Sequence, residues 1–203
     1  MTSSLNSPDQ AVSAITQLLA GAEKRTLELA DVVASAGLEW SKVVTLFPDP
    51  QDILVEIARA EAAQACQPLL SAINAPRHEP WDIEAVLREF VVRIEGNYAG
   101  VVGGLVRVAI TESAKNPDLR KRIHHEGPAS VLAALRQFLQ AAVERSFLEI
   151  DDVEVAAEQL IGLLRATLYE RLTPALEHPM SCGVDPIALF LRGAARRKGG
   201  KSV

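Results

Sequence analysis

The stretch that most constrains this chain runs from Thr26 to Leu54, where two short helical patterns flank a glycine turn before a long amphipathic run. Leu29, Val32 and Val33 fall at three-to-four spacing on one helical face, where they can pack on Ala11, Ile15 and Leu18 of a preceding helix. The hydroxyl of Thr26 is placed to cap the start of that face. Ala36-Gly37 ends it, because glycine accepts the positive φ that a tight turn demands, and Leu38 returns to the core. The next pattern, 39–46, turns Val43, Leu46 and Phe47 inward and leaves Trp40, Ser41, Val44 and Thr45 outside. Pro48-Asp49-Pro50 then breaks the chain. This is the cadence of a helix-turn-helix.

The rest of the chain reads as helix throughout. Its 203 residues suffice for a small N-terminal domain and a larger core, and aromatics at 4% with recurrent Gly and Pro breaks favour a bundle over a sheet. Apolar periodicity and break chemistry predict helices over 8–20, 26–35, 39–46, 50–74, 81–98, 101–115, 117–124, 128–146, 152–173 and 186–195, and no substantial strand. The expected fold is therefore all-α: a three-helix helix-turn-helix domain over 1–48, an antiparallel helical bundle over 49–195 that can sense a ligand or dimerise, and a disordered basic tail over 196–203. Apolar runs are interrupted by Arg and Glu short of a membrane span. Cys66 and Cys182 lack metal spacing, and no apolar leader follows Met1, so the expected setting is a reducing cytoplasm, with no membrane partner.

At these residues the chain resembles the TetR family of transcriptional regulators. Val32-Val33 stand at the family's Ile-Ala pair, Ala36-Gly37-Leu38-Glu39 at Ala-Gly-Val-Ser, Lys42-Val43-Val44 at Thr-Leu-Tyr, and Phe47 to Gln51 at the exit. Two positions depart from the pattern: the tyrosine that usually touches a phosphate is Val44, and the lysine that usually opens the fourth helix is Pro50. Further on, Arg107 to Glu112, Asn116 to Leu119, Glu126-Gly127-Pro128 and the 133–143 helix are similar to the ligand-binding domain of the AefR-type subgroup. The resemblance implies a homodimer that binds double-stranded operator DNA through its heads and answers to a small-molecule effector. It implies no cofactor.

Charge works against that implication. Between Asp9 and Arg59 stand eight acids and four bases, so the head is net negative within a chain of net charge −5. Affinity for duplex DNA comes largely from cations that displace counterions from phosphates. Lys24, Arg25 and Lys42 are the evident cations, with Thr26 beside them; Trp40 and Thr45 are placed to meet thymine methyls or a phosphate, and Ser41 and Lys42 to reach base edges or the backbone. A bland alternative has Trp40 lying over the first helix and Lys42 merely solvated. If operator binding has been lost, the fold and dimer would serve as a ligand-binding or protein-interaction module.

Catalysis has little support. His124-His125-Glu126 groups ligand-type side chains, but adjacent histidines point to different sides of a helix and no spaced partner follows, so no metal is expected. No phosphate loop or nucleophile elbow is present. Tyr98, Arg107, Glu112, Arg165 and Tyr169 punctuate apolar helices and are candidates for an effector pocket, or equally for helix-edge positions or an internal ion pair. Gly96, Gly100, Gly103 and Gly104 crowd one stretch, which suits either a pliable hinge or close helix contact. Leu160, Leu163, Leu164 and Leu168, with Ile187 and Phe190, form the stripes expected to build a four-helix dimer interface. The same stripes read equally as a monomer's core.

Overall fold

The computed structural model describes residues 7–21, 28–76, 81–172 and 185–194, with side chains of 166–172 left aside. These residues hold ten α-helices and no strand: α1 (Pro8–Gly21), α2 (Leu29–Ser35), α3 (Trp40–Leu46), α4 (Asp52–Asn74), α5 (Ile83–Ala99), α6 (Val101–Ser113), α7 (Pro117–His124), α8 (Ser130–Glu144), α9 (Val153–Leu172) and α10 (Pro186–Ala194). The chain is all-α, as its periodicity implies. The basic tail, Lys24, Arg25, Thr26 and Cys182 lie outside the described residues.

Two compact units divide the chain. The first comprises Met1–Gln64 with Glu95–Ser130, the second Ala65–Ile94 with Val131–Val203. In the first unit Ala11, Ile15 and Leu19 of α1, Leu29, Val32 and Val33 of α2, and Val43 of α3 share one core with Leu54, Ile57, Leu105, Val108 and Leu119. The three-helix head thus belongs to a larger body that includes α6 and α7. Gly37, at φ 72°, makes the turn between α2 and α3, the left-handed conformation its sequence position requires.

Three local readings need correction. The first helix of the motif starts at Leu29, not near residue 26: its N-cap position is Glu28, which makes no side-chain cap bond. Asn116 caps α7 as expected, its side chain accepting from the Asp118 N–H with Pro117 in the first turn. Pro128 does not start a helix, however. It lies inside a π-helical turn, His125–Ala129, between α7 and α8. A proline within a helix offers no N–H and crowds the carbonyl four residues back, and the wider turn relieves both faults. Ser130 Oγ donates to the Glu126 carbonyl at 2.7 Å, which helps satisfy the widened backbone. The third correction concerns α4, which begins at Asp52, so Pro50 stands in the turn before it.

In the second unit the buried residues include Leu69, Leu87, Phe90, Leu135, Phe138 and Leu139. Trp81 stacks on Phe138 with ring centroids 5.4 Å apart and on Phe147 at 5.8 Å, and the Arg145 guanidinium lies 4.1 Å over its ring. Arg145 also donates to the carbonyls of Ile73 and Ala75, closing the C-terminal end of α4.

Candidate nucleic-acid interface

The orientation of α3 follows from two side chains. Val43 and Phe47 are buried in the first unit, which fixes the helix's rotation and leaves Trp40, Ser41, Val44 and Thr45 exposed on one stripe. Trp40 is 43% and Val44 46% exposed. Thr45 Oγ1 donates back to the Ser41 carbonyl at 2.8 Å. Lys42 is half-buried, with its Nζ 3.5 Å from the Glu39 carboxylate. The one cation of α3 is therefore held by an acid of the same helix end.

Behind this face lies a polar network that sequence periodicity does not reveal. Glu112 of α6 is 5% exposed, and its Oε1 accepts from the Leu29 N–H at 2.9 Å. Its Oε2 accepts from Gln51 Nε2 at 3.0 Å, and Gln51 in turn accepts from Asn116. Lys115 bridges Glu112 and Glu28, at 3.5 and 2.9 Å. Burial pushes the Glu112 carboxyl up, but the Leu29 N–H, the Gln51 amide and the Lys115 ammonium together hold it below the usual carboxylate range. The residue thus caps α2 from another helix. Read from sequence as a pocket carboxylate, Glu112 already has its lone pairs engaged.

Arg122 of α7 extends the network, pairing with Asp49 at 3.2 Å and with Asp52. Arg59 of α4 bonds both Glu56 and Glu126, at 2.7 and 2.8 Å, and this bond draws Glu126 below its ordinary range. A cleft of about 600 Å³ opens here, between Phe47, Val55 and the α7 side chains. Its acids Asp52, Glu56, Asp118 and Glu126 each have Arg59, Lys121 or Arg122 within ion-pair distance, and His125 lines it as well. Among the described residues no group of His, Cys, Asp and Glu converges on a metal-sized site. Burial pushes the Cys66 thiol up to about 11, which keeps it protonated and unreactive at neutral pH.

The other predicted positions divide between the units. Tyr98 and Arg107 are half-buried in the first unit, as is Glu112 more deeply; Arg165 belongs to the second and is exposed, and the Tyr169 side chain lies outside the described residues. Glu158 of α9 is engaged by Arg136 at 3.1 Å. Of the dimer stripe, Leu160, Leu164, Ile187 and Phe190 are buried within the single chain, while Leu163 and, on α10, Leu189 are exposed. The exposed part of the stripe is narrow, because its inward half packs the chain's own core. Leu168 falls among the side chains outside the described set.

Glu61 is a residue sequence reading missed. It sits on the apolar face of α4, 8% exposed, its backbone carbonyl accepting from Asn97 Nδ2 at 3.1 Å. Its carboxylate has no ion pair or hydrogen bond among the described residues, and burial raises its pKa. A charge at an inward helical position was the available signal. A carboxyl with a raised folded-state pKa penalises folding once deprotonated, and the penalty is relieved as pH falls through that pKa. Glu61→Gln is therefore expected to raise the melting temperature at pH 7 and to raise it less at pH ~5; an equal gain at both pH values would remove burial of the charge as the cause.

Three short helices with a glycine turn between the second and the third, the third projecting an exposed face, followed by a helical body, are an all-α helix-turn-helix arrangement. The comparisons make the class specific. Residues 98–182 match the C-terminal domain of AefR-like transcriptional repressors. A protein from Mesorhizobium loti described as a TetR-family transcriptional regulator superposes with a TM-score of 0.66 at 18% identity, over 95% of this chain and 100% of its own. SmeT, the repressor of the Stenotrophomonas maltophilia multidrug efflux pump SmeDEF, gives 0.61 at 15%, over 95% and 92%. FadR from Bacillus subtilis, solved with stearoyl-CoA, gives 0.56 at 16%, over 91% and 94%. No curated protein matches the chain in sequence. The chain has the fold of these TetR-family regulators, and its residues 98–182 are similar to an AefR-like C-terminal domain. Among the described residues no helix is long and apolar enough to cross a membrane.

Proposed function

We propose that this protein is a ligand-responsive transcriptional repressor that binds operator DNA as a homodimer and releases it when a small, mainly apolar molecule occupies its C-terminal region. The observation that carries the reading is the exposed stripe Trp40, Ser41, Val44 and Thr45 on the second helix of the motif, held outward by buried Val43. Residues 1–48 serve as the reading head, 49–195 bind effector and partner, and the basic tail over 196–203 takes no part. Lys24, Arg25 and Thr26 join Lys42 at the phosphates. Tyr98, Arg107, Arg165 and Tyr169 remain the effector candidates, and Leu163 with Leu189 extends the contact to a second copy.

The effector class draws on the relatives: the Bacillus subtilis FadR was solved with stearoyl-CoA, which carries a long apolar acyl chain, and SmeT with triclosan, a small aromatic molecule. An effector that prefers one head spacing over another shifts the population and with it the operator affinity. The reading assigns the protein no catalytic step and places it in the cytoplasm.

A gel shift against the DNA flanking its own gene, run across a salt series, tests the proposal. Lys42 must leave Glu39 to reach a phosphate, so two variants bracket it. Lys42→Ala is expected to weaken binding and to flatten the salt slope by about one, whereas Glu39→Gln, which frees the lysine and removes a negative charge, strengthens binding at low salt. Absence of any shift at low salt favours the second reading, a fold and dimer kept without operator binding, to which the acidic surround of α3 points.

A further inference from the structure

We infer that α3 recognises its operator through thymine C5-methyl groups, with Val44 and Trp40 as the contacts that set sequence preference. The inference rests on the operator-binding reading and deepens it by naming the base that is read.

Each base pair shows the major groove a distinct edge, and side chains read those edges by chemical type: Arg or Lys on guanine, Asn or Gln on adenine, apolar groups on the thymine methyl. The α3 sequence, Trp-Ser-Lys-Val-Val-Thr-Leu, holds no Arg, Asn or Gln. Its one lysine is half-buried and faces Glu39 at 3.5 Å. The Thr45 hydroxyl is committed to the Ser41 carbonyl, so the polar half of that side chain is spent on the helix itself. Beside the single Ser41 hydroxyl, what the helix offers outward is the Trp40 ring and the Val44 isopropyl group, 43% and 46% exposed and one helical turn apart. Of the four bases only thymine presents an apolar group in that groove.

The charge distribution agrees. Among the described residues Lys42 is the one cation of α3, so that helix itself has little to give phosphates and more to give bases. Exposed apolar side chains at the centre of such a face gain most by covering methyl groups that water would otherwise surround. Glu39, exposed at the start of α3, repels a misplaced backbone and so narrows the poses in which these contacts form.

The probe is a duplex enriched by the full-length protein from a random 30-bp pool at low salt. Each thymidine is replaced in turn by deoxyuridine, which removes the C5-methyl and nothing else. Wild type is expected to lose roughly four-fold in affinity per covered methyl, at one or two symmetry-related thymines of each half-site. Val44→Ala or Trp40→Ala binds the unmodified duplex more weakly and no longer distinguishes thymidine from deoxyuridine at its own position. Neither residue belongs to the buried core of the first unit, so both variants are expected to fold. Uniform indifference to deoxyuridine in a duplex that binds overturns the inference and leaves the operator reading standing. Sensitivity that persists undiminished in both variants overturns the assignment to these residues. Failure to enrich any duplex overturns both, and leaves the stripe to a protein partner.

Discussion

Gly104→Ala is expected to destabilise the protein by roughly 1–3 kcal/mol, although alanine is the better helix former by about 1 kcal/mol. Gly104 lies within α6, where a Cβ would stand 2.7 Å from the Leu19 carbonyl oxygen, 3.0 Å from Leu19 Cβ and 3.1 Å from its Cα. The nearest obstacle is backbone, which cannot rotate aside as a flexible side chain can. Helix α1 must therefore back away, and in doing so it loosens Ile15 and Leu19 from Leu105 and Val108 in the shared core. The same substitution at Gly162 of α9 meets nothing within 4 Å and is expected to stabilise, by roughly 0.5–1 kcal/mol, through the unfolded chain's lost freedom. Urea unfolding of the two variants beside wild type gives opposite signs if neighbour distance decides the outcome. Stabilisation by both would mean that α1 and α6 can part at no cost. Because α1 underlies the head, Gly104→Ala should also weaken operator binding more than Gly162→Ala.

The glycine cluster shows how far sequence reading reaches. Four glycines within nine positions signalled either pliancy or close approach, and local pattern has no means to choose, since the deciding atom belongs to Leu19. Where the cause was local, the chain was legible: Gly37 makes its turn, Asn116-Pro117 opens α7, and Val43 and Phe47 set the outward stripe of α3. Where a partner far along the chain was needed, it was not. Thr26 looked like the cap of the first motif helix because capping is usually local, yet the helix starts later and takes its acceptor from α6. Leu160, Leu164, Ile187 and Phe190 had the periodicity of an interface, but a helix's own core and its partner's surface demand the same apolar spacing. Pro128 illustrates a third limit. A Gly-Pro pair is a helix-start signal only when the preceding turn can end, and here α7 runs on through a π turn instead.

Loss of the Glu112 carboxylate should have consequences of comparable size, for a different reason. Glu112→Ala leaves the buried Leu29 N–H without an acceptor, releases Gln51 from its carboxylate partner, and removes negative charge from the N-terminus of α2. An orphaned buried donor costs roughly 1–3 kcal/mol, and the loss falls on a seven-residue helix that cannot sustain itself. Glu112→Gln keeps the shape and one acceptor oxygen but gives up the charge shared with Lys115, so its effect should be smaller. The pH dependence separates charge from shape. Since the folded-state pKa of Glu112 is depressed, its contribution is fully present above the ordinary carboxylate range and is lost as pH falls through the depressed value. The stability gap between wild type and Glu112→Gln is therefore expected to be constant near neutrality and to close in acid, read from thermal unfolding at a series of pH values. A gap that persists unchanged into acid would mean that the carboxyl acts by packing alone. The functional readout follows from geometry: Glu112 ties the start of α2 and the Gln51 turn to α6, so its removal frees the head from the body that holds α3 in register. Operator affinity should then fall under conditions where the variant is still fully folded by circular dichroism, because the stripe of Trp40 and Val44 is no longer held in one orientation.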